Sequence, residues 1–158
     1  MIDFTEEQFR KIKEDGEVLY KSFDEVYCPY FKETISFNAQ GLEHLKFIQR
    51  EKARLERDQY MRFKLIHLAP EVLKISHTVQ GILETKKFER VRVNNRTENI
   101  LKPVIYYEFI AVLKRNRIRI IVKQIDDGKK FFWSIIPFWG MNEETRTRLF
   151  HNGIPEED

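Results

Sequence analysis

Cysteine is nearly missing from this chain of 158 residues, where Cys28 stands alone. One thiol excludes an internal disulfide and any zinc site built from several cysteines. The four histidines, His44, His67, His77 and His151, show no ligand spacing of the HExxH kind, so no metal is expected. Glycine is scarce, six residues in all, and none gather into the loop with which nucleotide-binding folds wrap phosphates. No cofactor is expected. Long apolar runs are missing too: nothing approaches the roughly 18 residues of a membrane-crossing helix. The opening MIDFTEEQF is acidic where a secretory leader is basic and then greasy. The expected location is the cytoplasm, with no membrane partner.

What is present suits one domain. A chain of this length buries roughly two thirds of its unfolded surface, and 42% hydrophobic residues, with 13 Phe spread along the chain, supply one core. Charge is unevenly distributed. Lys86 to Lys130 holds thirteen Lys and Arg against five Asp and Glu, a local +8, which leaves −5 for the rest of a chain whose total is +3. Two readings follow: a surface for a polyanion, or the Lys and Arg with which solvated hairpins protect their edges.

The hydrophobic period changes halfway along. Thr5 and Gln8 form a capping box ahead of a helix over 5–23, whose middle Gly16 weakens. A short extended piece at 34–37 leads to Asn38, an N-cap for a long, heavily charged helical region through Leu68, with a break allowed between Gln49 and Asp58. Pro70 opens one more short helix. A weak strand around Phe88 to Val93, a polar loop from Asn94 to Lys102, and three clear strands over 104–113, 117–125 and 130–136 follow, with turns at Arg115-Asn116 and Asp127-Gly128. The expected fold is α+β: N-terminal helices (5–80) packed on one face of a four-stranded antiparallel β-sheet (85–139), within a single domain over 1–158 whose tail, 150–158, frays.

Two-residue turns would set Glu108 opposite Lys123, Val112 opposite Arg119, Lys123 opposite Phe132 and Ile121 opposite Ser134. Alternation then gives one nearly apolar face, for the helices, and one mixed face carrying Tyr106, Glu108, Arg119, Lys123, Phe132 and Ser134. An acid, two bases, a hydroxyl and aromatic platforms on an open face can stack bases, hold phosphate and move a proton. A cross-strand Glu–Lys pair with a tolerated serine accounts for the same residues without a site.

The helices followed by a four-stranded meander, the segment ISFNAQGLEHLKF with its Gly-x-x-His helix, and the closing strand FFWSIIP resemble the barnase, EndoU, colicin tRNase and RelE-like group of metal-independent ribonucleases, in its phage-associated branches. The likeness covers roughly 34–139. It implies RNA cleavage by attack of the 2′-OH on its own phosphate, at the open sheet face. By position, Glu108 would be the base, Arg119 and Lys123 the phosphate clamp, Ser134 a supporting hydrogen-bond partner and His44 the acid. Tyr106, Phe132, Arg117 and Lys130 would contact RNA, and Arg50, Arg54, Arg57 and Arg62 could line its path. Where barnase has a catalytic histidine late in the sheet, this chain has Trp133 and Ser134. The partners implied are RNA and, for a toxin-type enzyme, an antitoxin or immunity protein. The alternative is an RNA-binding or mobile-element interaction module that uses the same surface without catalysis.

Overall fold

The computed structural model describes residues 3–49 and 51–137; the frayed tail, His151 and Arg50 of the sequence reading lie outside them. Helix α1 (Glu6–Ser22) opens with the expected capping box: Gln8 N–H donates to the Thr5 hydroxyl at 3.1 Å, and Thr5 N–H donates to the Gln8 side chain at 2.9 Å. A small hairpin of β1 (Val26–Cys28) and β2 (Glu33–Ile35) leads to α2 (Ala39–Lys46), capped by Asn38 as expected. The long helical region is interrupted: α2 ends in an extended Phe47, β3 (Phe47–Gln49) and β4 (Lys52–Ala53) form a short hairpin, and α3 (Glu56–Leu65) resumes the helical path. A 3₁₀ turn then feeds α4 (Ala69–Ile75), with Pro70 in its first turn.

The second half is an antiparallel meander in sequence order, β5 (Gly81–Val93), β6 (Arg96–Leu113), β7 (Asn116–Ile125) and β8 (Phe131–Pro137). The fold is α+β, with the helices N-terminal to the sheet and packed on one of its faces. Phe109, Ile118, Ile120, Val122, Phe132 and Ile135 meet Tyr20, Leu45, Phe63, Leu68 and Val72 in one core. The opposite face has a smaller apolar cluster of Val104, Tyr106, Ile121 and Ile136, with Trp133 against it.

Several details depart from the sequence reading, among them the expected two-residue turn at Asp127-Gly128, which is instead a connection over 126–130 with Asp126 at positive φ. The polar loop at 94–102 is instead a turn and a strand: Asn94 and Asn95, both at positive φ, make a two-residue turn, and Arg96 to Lys102 pair residue by residue with β5. Asparagine tolerates that left-handed backbone, so the turn chemistry was visible while the charged strand after it hid its period. The β6–β7 turn lies at Lys114 and Arg115, which puts Tyr106 opposite Lys123 and Glu108 opposite Ile121. Finally, β8 bulges. Ile121 does face Ser134, but beyond it Val122 faces Phe132 and Lys123 faces Phe131, so Trp133 is the extra residue. The bulge sends Phe132 into the helical core, with Tyr20 and Phe37 around it, and leaves Trp133 on the other face.

Candidate functional site

The face expected to be open is covered. Lys123 pairs with Tyr106, and Tyr106 with Leu83. Glu89 lies six residues further along β5, about 20 Å in a flat sheet. Yet its carboxylate meets the Lys123 ammonium at 3.0 Å. The outer half of the β5–β6 hairpin, here the arm, therefore curls back over the sheet. Between the arm, the α2–β3 corner and the sheet lies a cleft of about 640 Å³, with His44, Glu43, Glu89, Tyr106, Lys123 and Trp133 in its walls.

Gly41 shapes one wall. A Cβ there would stand 2.4 Å from the Phe132 carbonyl oxygen and 2.5 Å from the Tyr20 hydroxyl, so only glycine lets α2 lie this close to β8. One turn later the His44 ring stacks on Trp133, centroids 4.0 Å apart and planes 19° from parallel. Lys123 is sandwiched by charge and aromatics: besides Glu89, its ammonium lies 4.1 Å from the Trp133 ring and 5.7 Å from that of Tyr106.

Behind the cleft runs a buried polar chain. Arg54 donates through Nε to the His44 carbonyl at 2.7 Å and through Nη2 to His44 Nε2 at 2.9 Å. Asp58 takes Arg54 Nη1 at 3.3 Å and Arg62 Nε at 2.6 Å, and Arg62 Nη1 reaches the Ser134 hydroxyl at 2.6 Å. A guanidinium only donates, so His44 Nε2 accepts and the ring proton sits on Nδ1. Burial, then the positive charges of Arg54, Arg62 and Lys123, push the His44 pKa well below the ordinary histidine value. His44 is neutral at pH 7 and has no extra proton to give. An acid role does not suit a ring in this state, and the same burial and cations oppose its taking up a proton while the cleft is empty.

The remaining expected residues divide. Glu108 accepts from Arg119 Nε at 2.7 Å and again from Nη2, forming a two-point ion pair apart from the cleft. Arg119 is four residues from Lys123, about 13 Å along β7. Glu108 therefore faces neither Lys123 nor His44, and the single cluster expected on one face becomes two. Ser134 joins the His44 cluster through Arg62 instead of through the sheet. Of the expected RNA contacts, Tyr106 lines the cleft. Phe132 is fully buried in the helical core because of the bulge, and Arg117 is exposed opposite Val112. Lys130 pairs with Glu33 and rests over the Phe31 ring. Arg54 and Arg62 are buried behind the cleft instead of standing along an exposed path.

Sequence reasoning missed Asp58, Glu89 and Trp133. Asp58 and Arg62 are four apart on α3, a spacing that signals an ion pair on one helix face, but nothing local signals that the pair is turned inward. Among the described residues, no three His, Cys, Asp or Glu side chains gather as metal ligands would, and no helix is long and apolar enough to cross a membrane. Comparison of the chain with protein-family models, curated proteins and solved structures yields no match.

Proposed function

We propose that this protein is a metal-independent endoribonuclease of toxin type, with its chemistry in the cleft beneath the arm. The observation that carries the reading is His44 in the cleft wall beside Lys123, with Arg54 hydrogen-bonded to its ring and Arg62 buried behind it. Such a cluster attracts a phosphodiester, and RNA places a 2′-OH beside each one. The 2′-oxygen bonds to phosphorus while its proton passes to His44 Nε2, which Arg54 uncovers as its guanidinium turns to the phosphate, whose negative charge offsets the cations that hold the resting imidazole neutral. The P–O5′ bond breaks, the leaving oxygen takes a proton from the Lys123 ammonium, and the product is a cyclic phosphate. Trp133 and Tyr106 give the cleft aromatic surface on which an unstacked base can rest. Ser134 acts through Arg62, as a positioning residue. The toxin reading carries with it a cytoplasmic location and an antitoxin or immunity protein that restrains the activity.

A second reading, RNA binding without cleavage, is favoured by one observation. Each polar group of the cluster already has a protein partner: His44 has Arg54, Lys123 has Glu89, and Arg62 has Asp58 and Ser134.

Incubating the pure protein with total RNA in EDTA separates the two. The expected result is cleavage to cyclic-phosphate ends that is lost in His44→Ala and Lys123→Ala but kept in Glu108→Gln. Intact RNA bound with a steep salt dependence supports the second reading. Undiminished cleavage by folded His44→Ala and Lys123→Ala proteins would remove the cleft as the site.

A further inference from the structure

The arm has a second face, opposite the one that carries Glu89. Alternation along β5 places Lys86, Phe88, Arg90 and Arg92 on it, and their partners across the hairpin are Pro103, Leu101, Asn99 and Thr97. All eight are exposed. Phe88 is 71% exposed and Leu101, directly opposite, 51%. The inward-facing acids of the arm, Glu89 and Glu98, belong to the other face, so these three cations have no acid among their cross-strand partners. Charge alone would fit a strand that protects its edge. A central, largely exposed phenylalanine does not serve that purpose, since it leaves apolar surface in water.

We propose that this outer face of the arm is a second RNA contact, which tracks the single strand as it leaves the cleft. The inference rests on the reading of the cleft as an RNA site. Phe88 and Arg90 also border the cleft, so the two surfaces are continuous. Cations spaced two residues apart along one strand face hold successive phosphates, and Phe88 between them offers its ring to a base. The same pattern suits single-stranded RNA better than a folded acidic protein, which would need a flatter apolar patch than one Phe–Leu pair supplies.

The test is a binding titration with fluorescent RNA carrying 2′-O-methyl groups, which removes the attacking hydroxyl and keeps the probe intact. Two probes, of about four and about twelve nucleotides, span the range of sites that fit the cleft alone or the cleft with the arm. For the longer probe, Phe88→Ala weakens binding by about 5-fold or more, the loss of one stacked base. The double variant Lys86→Ser, Arg92→Ser lowers the slope of log affinity against log salt by about 1.4, the loss of two phosphate contacts on a single strand. The shorter probe binds the Lys86, Arg92 variant as it binds wild type, because neither residue borders the cleft. If wild-type protein binds the longer probe but both variants match it in affinity and salt slope, the arm is not a contact, while the cleft reading stands. If a polyglutamate peptide displaces the longer probe as well as unlabelled RNA does, the face reads charge alone and an acidic protein replaces RNA as its partner. Failure of wild-type protein to bind either probe at low salt overturns the cleft reading and the arm with it.

Discussion

His44 ties the stability of the fold to one proton. In the unfolded chain its imidazole titrates near the ordinary value of about 6.5, whereas burial and the flanking cations hold the folded group well below that. Above pH 6.5 neither state carries the proton. As pH falls below it, the unfolded state binds a proton that the folded state refuses, so stability drops until the depressed folded pKa is reached. The slope is at most about 1.4 kcal/mol per pH unit. Urea unfolding at pH 7 and at mildly acidic pH should show this loss in wild type, and a smaller one in His44→Gln, which keeps an acceptor for Arg54 without the titration. Equal losses in both proteins would show that other groups set the acid sensitivity. At this scale the sequence was partly readable. Tyr106 and Lys123 were correctly set apart from the helix-packed face by alternation alone, and the Gly-x-x-His segment pointed to His44. The separation of Glu108 from them was not readable, because moving a two-residue turn by one position keeps every face and changes every partner.

The elements that bring His44 to the cleft are α2 and β8, and their contact is decided by the absence of a side chain. Gly41→Ala has to move α2 off the backbone of β8 or displace Tyr20, whose hydroxyl donates to the Asn38 carbonyl at 2.6 Å. Overpacking at a fixed backbone contact costs about 1–3 kcal/mol, and the lost stability should appear in a thermal or urea melt even though Ala favours helices. A melt at or above the wild-type midpoint would contradict the close packing of α2 on β8. Gly16 has a related role in α1, where a Cβ would meet the Phe63 ring at 2.6 Å. Read only as a weak point in a helix, it is the place where α1 and α3 touch. The bulge in β8 belongs to the same scale: no turn residue or glycine marks it in FFWSIIP, and it comes from the demand of the core for Phe132.

For the whole molecule, the fold class was legible because the change of hydrophobic period from helix to strand is a long-range signal. The covering of the far face was not, since it depends on a hairpin rich in charged residues whose curl brings Glu89 to Lys123. Every neighbour in the sheet is the next strand in sequence, yet the core is closed only when that sheet meets helices made much earlier in the chain. A chain ending at Lys130 lacks Phe132 and Ile135 from the core and the strand against which α2 lies. It should show no cooperative thermal transition by circular dichroism; a cooperative one would mean that the helices and β5–β7 suffice.

The stacking of His44 on Trp133 carries a meaning in time as well as in space. The imidazole leaves the ribosome early, and its aromatic platform, together with the Ser134 hydroxyl that Arg62 holds, emerges only with the last strand of the sheet. While β5 to β7 are being made, the imidazole exists in the growing chain without its aromatic partner. The cleft is finished only after β8 is released, and until then nothing that needs both of its walls can bind.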